Sequence, residues 1–102
     1  MPRFEVCPVA ELSAGASTRI EGNQPIAVFH TDEGEFFATS DTCTHEDWSL
    51  GEDSDLDGAE VICPLHMARF DLHTGKPLCL PAVDSLRTYA VEIENGTIFV
   101  VT

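Results

Sequence analysis

Two short segments carry residues able to hold a metal. Cys43-Thr44-His45 sets a thiol and an imidazole one residue apart, and Cys63-Pro64-Leu65-His66 sets a second such pair two residues apart. The pattern is therefore C-x-H, then residues 46–62, then C-x-x-H. Tight spacing within each pair lets one loop direct both side chains to one side. The intervening segment is of hairpin length and can bring the two loops face to face. Thiolates and imidazoles bind zinc and iron. Buried cysteines beside ordinary polar histidines are the bland alternative, but two mixed pairs in two loops rich in Gly and Pro make a poor coincidence. Tetrahedral zinc is the stronger rival, since two Cys and two His suit it. The usual zinc spacings, however, pair Cys with Cys and His with His across two or more residues. Here each loop mixes the types, and one spacer is a single residue.

The elements that must position these loops read as β. Short runs rich in Val, Ile, Phe and Thr recur between turn residues, and no helical period is sustained over more than about two turns. Strands are expected at Arg3 to Cys7, Thr18 to Glu21, Ile26 to His30, Glu35 to Thr39, Glu60 to Cys63, Ala68 to Asp71, Leu86 to Glu94 and Thr97 to Val101. Asp32-Glu33-Gly34 joins two alternating runs, and Asn95-Gly96 joins the last two strands with the dipeptide best suited to a type I′ turn. Glu11-Leu12 could begin a single helical turn. Between Asp41 and Pro81 the apolar pattern breaks up, punctuated by Gly51, Gly58, Pro64, Gly75, Pro77 and Pro81. Residues 1–102 thus read as one domain, with a loop-rich subdomain of about 41–81 inserted in a β base. Loops on a rigid scaffold are where chemistry usually sits.

With Phe70-Asp71, Thr74-Gly75-Lys76, Pro81, Tyr89 and Val91 added to the two pairs, essentially the whole chain resembles the Rieske iron–sulfur family. In that family one iron of a two-iron, two-sulfur cluster takes two Cys and the other two His. The likeness is greatest to the stand-alone Rieske ferredoxins of aromatic-ring-hydroxylating dioxygenase systems, of the phenylpropionate, biphenyl, toluene and naphthalene types. It implies an all-β Rieske fold of antiparallel sheets and one 2Fe-2S cluster on Cys43, His45, Cys63 and His66, with the imidazoles at the domain tip. It further implies a one-electron carrier rather than an enzyme. The partners would be an NADH-dependent flavoprotein reductase as donor and a terminal dioxygenase as acceptor. Within the redox class, the small Rieske subunit of a nitrite-reductase-type complex is the alternative; outside it, a zinc-stabilised β binding module.

Positions beside the ligands refine the expectation. High-potential members of the family carry a loop disulfide where this chain has Trp48 and Leu65, and Ser and Tyr hydroxyls where it has Ala68 and Phe70. Missing hydrogen bonds to cluster sulfur leave added negative charge less stabilised, so the potential is expected toward the low end of the family range. Glu46 stands where the related ferredoxins usually carry Gly, and Met67 where a small residue is common. Either could bear on docking.

Charge limits the partners. Only 5 Lys and Arg face 18 Asp and Glu, a formal net charge of −13 that repels nucleic acid and anionic lipid. No Lys or Arg occurs between Arg19 and Arg69, so the middle of the chain is an acidic lobe, suited to a basic partner. With no 18-residue apolar stretch and no basic-then-apolar start, the chain is expected to be soluble and cytoplasmic; a monomer is the simplest expectation. Cys7 and Cys79 fit no ligand pair and read as free thiols; His30 and His73 read as surface residues.

Overall fold

The computed structural model describes residues 3–43, 48–64, 67–78 and 84–102. Among these residues nine strands are formed: β1 (Arg3–Pro8), β2 (Ser17–Glu21), β3 (Pro25–His30), β4 (Phe36–Ser40), β5 (Asp55–Asp57), β6 (Glu60–Cys63), β7 (Ala68–Asp71), β8 (Thr88–Glu94) and β9 (Thr97–Val101). They make a six-stranded sheet in the order β1-β9-β8-β4-β3-β2 and a three-stranded sheet in the order β5-β6-β7, every pairing antiparallel. The smaller sheet lies in sequence between β4 and β8. A 3-10 turn over Val9–Glu11, slightly ahead of the expected position, follows β1. Among the described residues no helix is long and apolar enough to cross a membrane.

The expected strands are recovered apart from their edges and from β5, whose Asp-Leu-Asp sequence offers one apolar residue and no period to read. Strand β3 holds the core together. Ile26, Ala27, Val28 and Phe29 are all buried, and alternation sends Ile26 and Val28 to one face and Ala27 and Phe29 to the other. The first face packs with Leu12, Ala38, Ile98 and Val100. The second packs with Val61 and Phe70 of the smaller sheet and with Leu50, Leu72 and Leu86. An unbroken apolar run is what a strand covered on both faces requires, and each such side chain contributes about 1.5–3 kcal/mol on burial.

Turns set the pairings. Gly34 closes the β3–β4 hairpin with its N–H on the Thr31 carbonyl at 3.0 Å. Asn95 and Gly96 take φ of 52° and 76°, the two positive values a type I′ turn needs between β8 and β9. The Ser40 N–H donates to Arg87 O at 2.8 Å and the Arg87 N–H to Ser40 Oγ at 3.2 Å, fastening the end of β4 to the approach to β8.

One residue departs from the expectation set by the sequence. His30 is not a surface residue: it is half-buried, its ring stacked on Phe36 at 4.1 Å, and Nδ1–H donates to the Leu12 carbonyl at 2.7 Å. His73 is exposed, its ring edge-on to Phe37. Cys7 is a free thiol at a bulge in β1, packed against the core face that holds Ile98 and Val100; Cys79 lies outside the described residues. Burial, and secondarily the charge of Glu11, push the Cys7 thiol upward. Unfolded chains then release this proton at lower pH than folded ones, so its contribution to stability is intact below the ordinary thiol range and is lost as pH rises above it. Melting temperatures from about pH 8.5 upward should fall less steeply in Cys7→Ser than in the parent. Parallel curves would remove Cys7 from the balance.

Candidate metal centre

The first cysteine is placed by a loop that closes on itself. After β4 the Asp41 N–H donates to the Pro25 carbonyl at 3.1 Å, and Thr42 bridges Ser49 across the loop. The Cys43 N–H donates to Trp48 O at 2.9 Å, and Leu50 N–H to Asp41 O at 2.9 Å. Inside this frame the Asp41 carboxylate is 1% exposed and accepts from Ser49 Oγ at 2.9 Å and from the Gly51 N–H at 2.8 Å. Gly51 is required there, because a Cβ would press on the Thr18 carbonyl, on Asp41 Oδ1 and on Arg19 Cα. Trp48 belongs to this frame through its carbonyl, which accepts from Cys43. It packs partly buried against the core while its Nε1–H donates to the Asp53 carbonyl at 2.8 Å, which makes it a strut of this loop.

The second cysteine ends a strand. Cys63 is the last residue of β6 and pairs with Ala68, the first of β7, so the C-x-x-H segment is the connection of a β-hairpin. Met67, at its far end, has φ of 58°, a left-handed conformation that few non-Gly residues adopt, and is 56% exposed. The hairpin is held from outside by Leu78 N–H on Arg69 O at 2.8 Å and by a bridge from Phe70 to Pro77.

Both cysteines are buried in the same part of the core. Cys43 and Cys63 are 2% and 0% exposed and belong to the same apolar cluster as Leu50, Val61, Ala68 and Phe70. Two cysteines twenty positions apart, each beginning a mixed Cys/His loop, are thus presented into one dry cluster. His45 and His66 lie outside the described residues, as do Glu46 and Leu65. Among the described residues no group of three or more candidate metal ligands is formed.

Charge around the site is mostly negative. Arg69 is held by Glu60 at 3.0 Å and Asp57 at 3.3 Å, contacts that raise its pKa further above the neutral range. Arg19 sits among Glu21 at 2.7 Å, Glu52 at 3.4 Å and Asp41 at 3.5 Å, its charge likewise reinforced, chiefly by Glu21.

Comparison with known proteins places this geometry. The family model of the Rieske [2Fe-2S] domain matches residues 3–90. The 3-phenylpropionate/cinnamic acid dioxygenase ferredoxin subunit of Photorhabdus laumondii is 48% identical over 100 residues, 98% of this chain and 94% of that protein. In the solved complex of reduced oxygenase and oxidized ferredoxin in carbazole 1,9a-dioxygenase, one chain superposes with a TM-score of 0.87 at 35% identity, covering 97% of this chain and 92% of that one. A ferredoxin of Sphingomonas yanoikuyae B1 gives 0.87 at 30% identity, covering 99% of each chain.

Proposed function

Because the chain belongs to the Rieske [2Fe-2S] domain family, its cluster must be held by its own side chains, and we propose that Cys43 and Cys63 supply the thiolates and His45 and His66 the imidazoles. The donor set fits: two buried thiols enter one apolar cluster, and each is followed by an imidazole along its loop. Residues of about 41–81 then form the cluster-binding subdomain on a β base. When bound, the cluster supplies a one-electron couple.

The proposed role is that of a one-electron carrier in the cytoplasm, monomeric, which takes electrons from an NADH-dependent flavoprotein reductase and delivers them to a terminal aromatic-ring dioxygenase. The observation that carries it is the meeting of Cys43 and Cys63 in one buried cluster, in a chain that matches a dioxygenase ferredoxin subunit along nearly its whole length. The residues divide the work. Leu50, Val61, Ala68 and Phe70 keep water from the thiolates; neither Ala68 nor Phe70 offers a hydroxyl, which favours a potential low in the family range. The two imidazoles form the electron's exit.

Docking uses the same end of the molecule. Of the three large apolar residues exposed among the described residues, Met67 and Leu78 flank the Cys63 hairpin, and the third, Ile93, lies on β8. An exposed apolar pair beside this loop, on a chain of net charge −13, suits a short-lived encounter with a basic face of the oxygenase. Rates of electron transfer should therefore decline as salt increases, measured by stopped flow with reductase or oxygenase. Rates that stay level or climb across the series would remove charge steering.

The test is direct. Purified protein should be reddish-brown, bleach with dithionite and give a low-temperature EPR signal with average g near about 1.9, the mark of mixed Cys/His ligation. A colourless protein with stoichiometric zinc would overturn this reading.

A further inference from the structure

We propose that Asp41 is the positioning residue of the loop bearing Cys43, and that its buried carboxylate, partly offset by Arg19, holds the reduction potential of the site down. The inference rests on the ligand assignment above and adds a residue that carries no metal.

Three observations support it. Asp41 spans its loop: one side-chain oxygen accepts from both Ser49 and Gly51, while its own carbonyl accepts from Leu50. These bonds draw the two ends of 41–51 together, and Cys43 leaves from one of those ends. The carboxylate is also 1% exposed, and among the described residues its other oxygen is met by Arg19, which is distant at 3.5 Å, a third exposed and shared with Glu21 and Glu52. Burying a charge so weakly matched is costly, and an Asn would accept the same two hydrogen bonds without that cost. Finally, two residues of chain span at most about 7 Å, so this charge lies close to the Cys43 backbone in a low-dielectric setting. A nearby negative charge opposes the gain of an electron; a nearby positive charge assists it.

The experiment compares Asp41→Asn, Arg19→Gln and the double variant in the cluster-loaded protein. It reads the reduction potential by spectroelectrochemistry, iron per chain, and hydrogen exchange over 41–52 by mass spectrometry. Asp41→Asn should raise the potential, Arg19→Gln should lower it, and the double variant should return toward the Asp41→Asn value. Asp41→Ala, which leaves the Gly51 N–H without its acceptor, should speed exchange in the loop by at least about tenfold, the loss of one hydrogen bond to a charged group. A merely structural Asp41 gives no such opposition of sign. An Asp41→Asn potential at or below the parent's overturns the proposal. Should that variant fail to assemble, Arg19→Gln decides, because it leaves the bonds to Ser49 and Gly51 in place: a potential at or above the parent's overturns it. A colourless parent protein is a different failure, that of the ligand assignment.

Discussion

Cys63→Ala is expected to give a colourless protein without iron, and Cys43→Ala, His45→Ala and His66→Ala the same. Each of the four is proposed to hold the metal directly, so the loss should exceed the roughly 10–100-fold in affinity that even outer-shell partners cost. Among the described residues no other cysteine can take the place of Cys63: only Cys43 shares its cluster, and Cys7 packs on the other face of the core. The histidine variants separate a ligand role from a packing role. Cys63 sits in an apolar cluster and its truncation removes core packing in any case; His45→Ala and His66→Ala leave that packing in place, yet should abolish the chromophore equally. Iron assay, visible absorption and far-UV circular dichroism on the four variants check this. A variant of any of the four that keeps full iron and an unaltered EPR signal strikes that residue from the ligand set. Reduced order in the iron-free proteins is expected too, since metal binding and loop folding are coupled.

The second large effect falls on Gly75, in the turn after β7. Its φ of +79° is close to the +87° of Gly34, but the surroundings differ. A Cβ on Gly34 meets nothing within 4 Å, whereas one on Gly75 runs into the Leu86 carbonyl oxygen and crowds Thr88. The Gly75 carbonyl in turn accepts from the Leu86 N–H at 2.7 Å, so the turn is clamped to the segment leading into β8. Gly34→Ala pays only for the left-handed conformation, about 1–2 kcal/mol. Gly75→Ala adds an overpacking cost of about 1–3 kcal/mol and strains that hydrogen bond, for a total of about 3–5 kcal/mol. Against a typical stability of about 5–15 kcal/mol, this is the difference between a modest shift in melting temperature and a protein near its threshold. Unfolding midpoints of the two variants in the cluster-loaded state measure it. Equal losses would show that the Leu86 contact yields without cost.

What could be read in the residues was local or stoichiometric. The C-x-H and C-x-x-H pairs stood out because ligand chemistry depends on residue type and short spacing, both visible in one dimension. Most strands and the Asn95-Gly96 turn followed from periodicity and turn geometry, which act over a few neighbours. The resemblance of the whole pattern to one family then extended this local reading to a fold.

Tertiary structure decided whatever depends on partners far along the chain. It inserted β9 between β1 and β8, and formed β5 from a segment too short and polar to announce itself, because strand pairing is a property of two segments at once. It turned His30 from a surface residue into a stacked and hydrogen-bonded one, since burial comes from the neighbours a side chain acquires. Above all, it singled out Asp41. Within an acidic lobe all carboxylates look alike in sequence; only the closure of 41–51 against β2 and β3 leaves this one dry, bonded to Ser49 and Gly51, and two residues from a thiol proposed to hold iron.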